Sequence, residues 1–401
     1  MIKVNRLLYI VLLFLSFNIH GQMVREQDSL IGNPKNIEDL FYYTKTMDLP
    51  LDVVQIGDSH IQPGVMAAPL GKILKNTFGN GGYGMAYPYQ LANTNGHSTY
   101  KTSSNASWKP SKVTAKNPNQ PIGISGYSLF QNKLDAYIDY SFDSIQTPSI
   151  HYVTIFHSSN LDSNYYYAVE SKKGIQSVFL ENESTPFKSV FYFEKAVTKF
   201  RITHIRKYKQ QTSSVIQGVY VRSKRSGAVV SSIGVNGATF NQYNQAEDFR
   251  KHIESLAPDI VILSLGTNEA FQGTSFSDSI FKEEVRGMIQ LLSGLEKPPI
   301  IVLTTPPGVS VSQKVKKKFV YQPNPLVTRI RKVQIELCET YGLYVYDLFT
   351  CMGGAGSMRE WSKMGLTDSK QIHLSMQGYT LAGESMAKAF SHHLMNIQKN
   401  D

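Results

Sequence analysis

The feature that most constrains the fold is an alternation of short apolar runs with segments of helical periodicity. The first apolar run, Leu51 to Gly57, is nearly continuous and ends at a turn, which is typical of a buried parallel strand. A segment of helical spacing follows from Pro63 to Thr77, with proline at its start. Consecutive strand–helix units of this kind predict a parallel sheet covered by helices on both faces.

The same alternation resumes at Ala228 and continues towards the end of the chain. The later predicted strands cover residues 229–235, 259–265, 299–304 and 343–348, and the predicted helices cover residues 245–256, 277–295, 325–341 and 376–397. With the first strand, these elements fit a flavodoxin-like order. The predicted fold is therefore an α/β, three-layer αβα sandwich whose site lies at the carboxyl ends of the strands.

The stretch between these two regions has a different character. From about Ala92 to Lys224 it is rich in Tyr, Phe, Ser, Thr and Val in period-two alternation, as in residues 149–156. Short strands at close intervals predict an all-β sandwich. We therefore expect a discontinuous α/β domain, residues 23–91 and 228–401, that is interrupted by an inserted β-sandwich at residues 92–227.

The amino-terminal segment has the pattern of a secretory signal peptide. Lys3 and Arg6 flank the start of an apolar run from Leu7 to Phe17, and Gly21 offers a small residue for a signal peptidase. We expect residues 1–21 to be removed and the protein to be exported, to the periplasm or the extracellular space. An uncleaved anchor is the alternative, although the run is shorter than the ~20 residues of a spanning helix. We expect no stable membrane insertion after cleavage.

Composition excludes other classes of protein. The chain holds two cysteines, Cys338 and Cys351, too few for a disulfide framework or a cysteine metal cluster, and we expect no metal or organic cofactor. The formal charge of +10 falls to about +8 (10 − 2) without Lys3 and Arg6, which favours anionic surroundings such as a cell-wall polymer. No nucleic-acid module is recognisable, and the sequence does not specify an oligomeric state.

Four residues suited to acyl transfer lie beside the predicted elements. Ser59 follows the first strand in Gly-Asp-Ser-His, Gly237 follows the second strand and Asn268 follows the third, and His373 lies ahead of the last helix. Because the carboxyl ends of parallel strands meet at one edge of a sheet, we expect these residues to lie close together. Taken singly, Ser59 and Asn268 are more often helix N-caps, and His373 is more often a surface residue.

Together these residue types supply what ester cleavage needs. A neutral serine is a weak nucleophile, so an imidazole must take its proton, which suggests these roles for Ser59 and His373. The tetrahedral intermediate carries negative charge on the former carbonyl oxygen, and each preorganised donor contributes roughly 3–4 kcal/mol. We expect an oxyanion hole made of the backbone amides of Ser59 and Gly237 and the side-chain amide of Asn268, with glycine at 237 letting the backbone approach the substrate.

These blocks resemble the four sequence blocks of the SGNH (GDSL) hydrolases. Residues 78–84 (Phe-Gly-Asn-Gly-Gly-Tyr-Gly) and 352–358 (Met-Gly-Gly-Ala-Gly-Ser-Met) also resemble the peptidoglycan O-acetylesterase branch, and the resemblance covers most of the mature chain. It implies a serine esterase without a cofactor. It also implies that the β insertion, which lies between the first and second blocks, is similar to a carbohydrate-binding module.

One position departs from the family pattern. The family places an aspartate three residues before the histidine, where it orients the imidazole, and this position is Lys370 here. The nearest acid is Asp368, five residues before His373. Three alternatives follow: Asp368 acts from an altered loop, the site works as a Ser–His dyad, or activity is impaired.

The leading functional hypothesis is an esterase that removes O-acetyl groups from a cell-envelope glycan, most simply peptidoglycan. The same chemistry on acetylated xylan or a capsular polysaccharide, including transfer of the acetyl group to a sugar hydroxyl, is a second hypothesis. A catalytically impaired glycan-binding protein is the third, and Lys370 is the residue that favours it.

Overall fold

The computed structural model describes residues 30–32, 35–143, 150–158, 163–223, 226–315 and 318–395. The predicted signal peptide, residues 1–21, lies outside the described residues.

The strands of the described chain are numbered in chain order. They are β1 (Leu30–Ile31), β2 (Pro50–Gly57), β3 (Gly82–Met85), β4 (Tyr100–Ser104), β5 (Lys109–Lys112), β6 (Tyr127–Gln131), β7 (Tyr137–Phe142), β8 (Ile150–His157), β9 (Tyr166–Ser171), β10 (Val178–Phe179), β11 (Lys188–Val197), β12 (Lys199–Ile205), β13 (Ser214–Arg222), β14 (Gly227–Gly234), β15 (Ile260–Ser264), β16 (Ile300–Thr304), β17 (Ser310–Val315), β18 (Lys318–Pro323) and β19 (Tyr344–Tyr346).

The α-helices are numbered in the same way. They are α1 (Lys35–Thr46), α2 (Ala68–Phe78), α3 (Phe240–Asn244), α4 (Phe249–Leu256), α5 (Asp278–Ser293), α6 (Pro325–Tyr341), α7 (Leu348–Cys351), α8 (Ser357–Lys363) and α9 (Met376–Met395).

Local capping explains where the predicted helices agree with the structure and where they do not. Helix α6 has the predicted bounds because the Asn324 side chain caps its start and Gly342, with φ of 63°, ends it. The helix predicted at residues 245–256 is wrong at its start. Residues 240–244 form a separate short helix, because Thr239 makes a capping box with Gln242 and starts the chain coiling earlier.

The central sheet has the order β1-β19-β16-β15-β2-β14. The five strands from β19 to β14 are parallel, and β1 joins β19 antiparallel. Across the sheet the parallel strands follow the order β14, β2, β15, β16, β19. When these five strands are numbered along the chain, that order is 2-1-3-4-5, which confirms the flavodoxin-like prediction.

Strand register brings the ends of three strands to one level. Gly57 at the end of β2 pairs with Gly234 of β14 on one side and with Ser264 of β15 on the other. Helices α1, α2 and α9 contact one another, and α5 contacts both α3 and α6. These two groups form the outer layers around a sheet whose central side chains, such as Val54 and Ile262, are fully buried. The loops that follow β2, β14 and β15 therefore meet at one edge.

Two antiparallel sheets form the β-rich part of the chain, as the insertion prediction requires. One is seven-stranded, with the order β10-β11-β8-β13-β6-β5 and β3 added to β13, and the other is four-stranded, with the order β4-β7-β12-β9. Aromatic rings fill the core of this part, with Tyr140 stacked on Phe200 at a centroid distance of 4.8 Å. Strand β3 precedes residue 92, the predicted start of the insertion, yet it pairs with β13 of the β-rich part. The domain bounds at residues 91–92 and 227–228 stay a prediction.

Two negative findings concern the described residues only. No helix there is both long enough and apolar enough to span a bilayer. Cys338 and Cys351 are both buried, and no disulfide joins them.

Candidate active site

The turn after β2 places Ser59 at the carboxyl edge of the sheet. The carbonyl oxygen of Asp58 accepts the amides of Ile61 and Gln62, each at 3.1 Å, which closes a tight turn directly after the strand. A Cβ atom on Gly57 would overlap Ile61, and one on Gly234 would overlap the backbone of Gln62. The two glycines therefore let this turn pack against the strand ends.

His373 reaches this turn from the loop ahead of α9. The Ser59 Oγ atom lies 2.9 Å from Nε2 of His373, within hydrogen-bond distance, although the two residues are 314 positions apart. Ser59 does not cap a helix, because α2 begins nine residues later with Ala67 at its N-cap. Both side chains are partly exposed, so a substrate can approach them from solvent.

Asp368 lies beside the other nitrogen of the same ring. Its Oδ2 atom is 3.3 Å from Nδ1 of His373, and its Oδ1 atom accepts the amide of Ile372 at 3.0 Å. The loop curls because Gln371 takes a left-handed φ of 56° and the amide of Asp368 donates to the carbonyl of His373 at 2.8 Å. Lys370, at the position where the family pattern has aspartate, is exposed.

The backbone amides of Ser59 and Gly237 both lack an acceptor within the described part of the protein. Gly237 is exposed and has φ of 85°, a conformation that residues with a side chain rarely adopt. An added Cβ atom would meet only Thr114, at 3.8 Å. Glycine is therefore required here by the backbone conformation, and lack of room contributes little.

Asn268 follows β15 and directs its side-chain amide towards the same loop. Its Nδ2 atom donates to the carbonyl of Ala238 at 2.9 Å and lies 3.4 Å from Oδ2 of Asp58. Although Asn268 precedes a short 3₁₀ turn, its side chain makes no capping hydrogen bond. The side chain of Asn268 thus lies beside Asp58, the residue before Ser59, and beside Ala238, the residue after Gly237.

Two buried carboxyl groups lie behind this edge. Burial raises the pKa of Asp58 to about 7, while hydrogen bonds to the carboxylate, first of all from the amide of His60, oppose the shift. Burial likewise raises the pKa of Glu269 to about 8, although its Oε1 atom accepts the amide of Phe240 at 2.9 Å. The raised pKa values of these two groups reduce the negative charge beside the place where an oxyanion would form.

Two functional candidates carried no signal in the sequence, because their partners are distant in the chain. His60 is buried, and its ring centroid lies 5.4 Å from that of His373. Its Nδ1 atom lies 3.2 Å from the hydroxyl of Tyr379. Burial, and then the neighbouring His373, lower the pKa of His60 to about 3, so its ring is neutral.

Gln62 is the second candidate that the sequence did not reveal. This fully buried side chain donates through Nε2 to Thr94 Oγ1 at 3.0 Å and to the carbonyl of Asn95 at 2.6 Å. Its Oε1 atom accepts the hydroxyl of Tyr127 at 3.1 Å and the amide of Asn236 at 2.7 Å. It therefore joins the nucleophile turn, the β-rich part and the loop of Gly237.

Other polar groups lie elsewhere or have a structural task. Asp347 pairs with Arg331 at 2.6 Å and caps α7, and Tyr165 and Tyr167 of the β-rich part are buried. Within the described ranges, no group of three His, Cys, Asp or Glu side chains could hold a metal ion.

Comparisons with known proteins agree with this geometry. Residues 209–381 match the family described as GDSL-like lipase/acylhydrolase. This stretch is a GDSL-like lipase/acylhydrolase domain, of the SGNH (GDSL) hydrolase type. By class it is therefore an esterase. The family match includes Gly237, Asn268, Asp368 and His373, whereas Ser59 lies before it.

One solved structure shares its fold with nearly the whole chain. A structure titled "Peptidoglycan O-acetylesterase in action, 5 min" superposes with a TM-score of 0.73 at 20% identity, covering 91% of this chain and 98% of the other. A lipase/acylhydrolase from Enterococcus faecalis has a TM-score of 0.31 at 22% identity and covers 42% of this chain and 77% of its own. No curated protein matches the chain.

Proposed function

We propose that this SGNH hydrolase is a serine esterase that removes O-acetyl groups from a cell-envelope glycan, with peptidoglycan as its substrate. The observation that carries the proposal is the 2.9 Å contact between Ser59 Oγ and His373 Nε2. Nucleophile and base must be within this distance for the proton to move as the serine attacks. The substrate class is supported by the fold shared with a structure titled as a peptidoglycan O-acetylesterase.

The first half-reaction transfers the acetyl group to the enzyme. Ser59 Oγ attacks the acetyl carbonyl carbon while His373 Nε2 accepts the hydroxyl proton. The tetrahedral intermediate then collapses, the bond to the sugar oxygen breaks, and His373 returns its proton to that oxygen. The deacetylated sugar leaves, and an acetyl ester on Ser59 remains.

The second half-reaction repeats these roles with water. His373 takes a proton from water, the resulting hydroxide adds to the acetyl carbonyl, and the ester bond to Ser59 breaks. Ser59 recovers a proton from His373, and the product leaves as acetic acid, which ionises to acetate in water. Neither half-reaction needs a metal or a redox cofactor.

The oxyanion of both intermediates is held by donors at the sheet edge. The amides of Ser59 and Gly237 suit this role because they have no acceptor among the described residues. Asn268 supplies the third donor, since a hydrogen bond to the carbonyl of Ala238 holds its side chain at this edge. Its side chain also faces the carboxyl group of Asp58, and the raised pKa of that group limits the negative charge that would repel the oxyanion. Loss of one such donor typically costs about 3–4 kcal/mol of transition-state stabilisation.

Asp368 orients the imidazole of His373 in this proposal. With Nδ1 of His373 donating to the carboxylate, Nε2 is left as the acceptor that Ser59 requires. The curled loop replaces the usual spacing of three residues, so Lys370 need not take part. This support for a triad weakens the hypothesis of an impaired glycan-binding protein, for which Lys370 was the argument.

Export is part of the proposal, since the substrate lies outside the cytoplasm. Cleavage after residue 21 and a periplasmic or extracellular location would place the enzyme beside an envelope glycan. Sequencing the amino terminus of the protein recovered from a periplasmic or culture fraction tests this. A full-length protein retained with the cytoplasm would contradict it.

The proposal is tested with purified protein on 4-nitrophenyl acetate and on O-acetylated peptidoglycan. Ser59→Ala and His373→Ala should each lower turnover by at least about 1,000-fold. Ser293→Ala, an exposed serine at the end of α5, is the matched control and should behave as the wild type. Equal rates for wild type and Ser59→Ala would remove the catalytic assignment.

Acetate release from acetylated xylan and from a capsular polysaccharide, measured beside peptidoglycan, tests the choice of glycan. Faster release from either of these would move the proposal to that polymer and leave the chemistry unchanged.

A further inference from the structure

A cavity begins at the turn that follows Ser59. It has a volume of about 790 Å³ and lies between α2 on one side and β3, β14 and residues 97–99 on the other. Pro63 and Gly64 line it close to the nucleophile turn, and Asn80 lines it beyond the far end of α2. The 11 residues of α2 make it a groove about 16 Å long.

The groove carries positive charge from lysines and has no acidic residue in its described lining. Lys72 and Lys75, one turn apart on α2, both line it, and no Asp or Glu is among its described lining residues. Neither lysine forms an ion pair with a described residue, and burial lowers the pKa of Lys75 without any acidic neighbour opposing the shift. A partly buried ammonium group without a counter-charge is costly unless a ligand supplies an anion.

The wall opposite α2 is polar, and hydrogen bonds fix its side chains. The Tyr83 hydroxyl bridges His97 Nδ1 at 2.7 Å and Thr99 Oγ1 at 2.6 Å. His97 is 7% exposed, its Nε2 atom has no partner, and its ring packs over Gly64. Burial lowers the pKa of His97 to about 4, so the ring is neutral at pH 7. When Tyr83 donates to Nδ1, Nε2 carries a proton, and this buried atom has no acceptor among the described residues.

We propose that this lysine groove, lined by Lys72, Lys75, Tyr83 and His97, binds a carboxylate-bearing segment of the glycan next to the acetylated sugar. The inference rests on the proposed function, because it assigns the groove to the same substrate. The carboxylate pairs with Lys72 and Lys75, and the sugar lies against the wall of Tyr83 and His97. Since the groove begins beside the turn of Ser59, it orients the glycan along α2 and selects acidic polymers over neutral ones.

Direct binding to the full mature chain tests this groove independently of catalysis. Isothermal titration with trigalacturonate, acetyl-Ala-Ala and neutral chitotriose compares a sugar carboxylate, a peptide carboxylate and no carboxylate. We expect binding of at least one of the two acids, weakened by 0.5 M salt, and much weaker binding of chitotriose. Binding of trigalacturonate alone assigns the groove to an acidic sugar, and binding of acetyl-Ala-Ala alone assigns it to a peptide carboxylate.

The double variant Lys72→Gln/Lys75→Gln should bind the acid at least about tenfold more weakly, since two charge-assisted contacts are lost. Lys173→Gln/Lys195→Gln removes two exposed lysines of the β-rich part and is the charge-matched control, with unchanged binding expected. Turnover of 4-nitrophenyl acetate should be unchanged in Lys173→Gln/Lys195→Gln, and unchanged melting temperatures of both double variants exclude unfolding.

Wild-type binding in the Lys72→Gln/Lys75→Gln variant, or equal affinity for chitotriose, would overturn the groove assignment. Absence of acid binding by the wild type would overturn it as well. The proposed function fails on a different measurement. In that case esterase activity survives Ser59→Ala, while binding of the acid is unaffected.

Discussion

Replacement of Asp368 by asparagine isolates the contribution of the carboxylate charge. Asparagine keeps the shape of the side chain and can still accept the amide of Ile372, so the loop should stay curled. Its amide nitrogen would face Nδ1 of His373, which favours the tautomer with the proton on Nε2. That tautomer cannot accept the proton of Ser59.

The expected loss follows from the strength and exposure of the contact. A hydrogen bond to a charged group contributes about 1.5–3 kcal/mol, which corresponds to roughly 10- to 150-fold in turnover. A buried triad aspartate can contribute about 10⁴-fold. Here the side chains of Asp368 and His373 are 34% and 45% exposed and their contact is 3.3 Å long, so the lower range applies.

Steady-state hydrolysis of 4-nitrophenyl acetate by Asp368→Asn measures this loss, with thermal melting as the control for folding. Lys370→Asp is the companion variant. We expect no large gain in turnover, because Asp368 already accepts a hydrogen bond from Nδ1 of His373. Asp368→Asn within twofold of the wild type would mean that Ser59 and His373 work as a dyad. A large gain for Lys370→Asp would mean that the curled loop does not replace the usual spacing.

Three further variants test the surroundings of the site. Gln62→Leu leaves the partly buried amide of Asn236 without its acceptor, so stability should fall by about 1–3 kcal/mol in urea unfolding, and kcat on 4-nitrophenyl acetate should fall. An unchanged kcat would show that Gln62 is structural only. Gly237→Ala should lower stability by about 1–2 kcal/mol and reduce kcat, because φ of 85° is unfavourable for alanine, and wild-type values for both would contradict this reasoning. Glu269 has a folded pKa of about 8, above the unfolded value of about 4.3, so the folded state binds the extra proton and stability falls as pH rises between these values. Glu269→Gln should make this fall smaller, with the contribution of Asp58 remaining, which urea unfolding at pH 5 and pH 8 measures. An equal pH dependence in both proteins would refute the assignment.

The sequence by itself determined the features that depend on local pattern. Buried parallel strands need apolar runs, and helix ends need caps, so the stretch at Leu51–Gly57 and the helix at Pro325–Tyr341 were both predictable. The order of the βα units then led to the flavodoxin-like sheet. Because such a sheet gathers the ends of its strands, Ser59, Gly237 and Asn268 could be predicted to share an edge with His373.

Only the tertiary structure decided which distant groups meet. The position of Asp368 depends on a left-handed Gln371 and on hydrogen bonds across the loop, and neither has a signature in residue spacing. Gln62 and His60 acquire their partners from other segments of the chain, and the lysine groove exists because β3 and residues 97–99 pack beside α2. Such contacts are set by how layers pack against one another, and a pattern read along the chain carries no information about that packing.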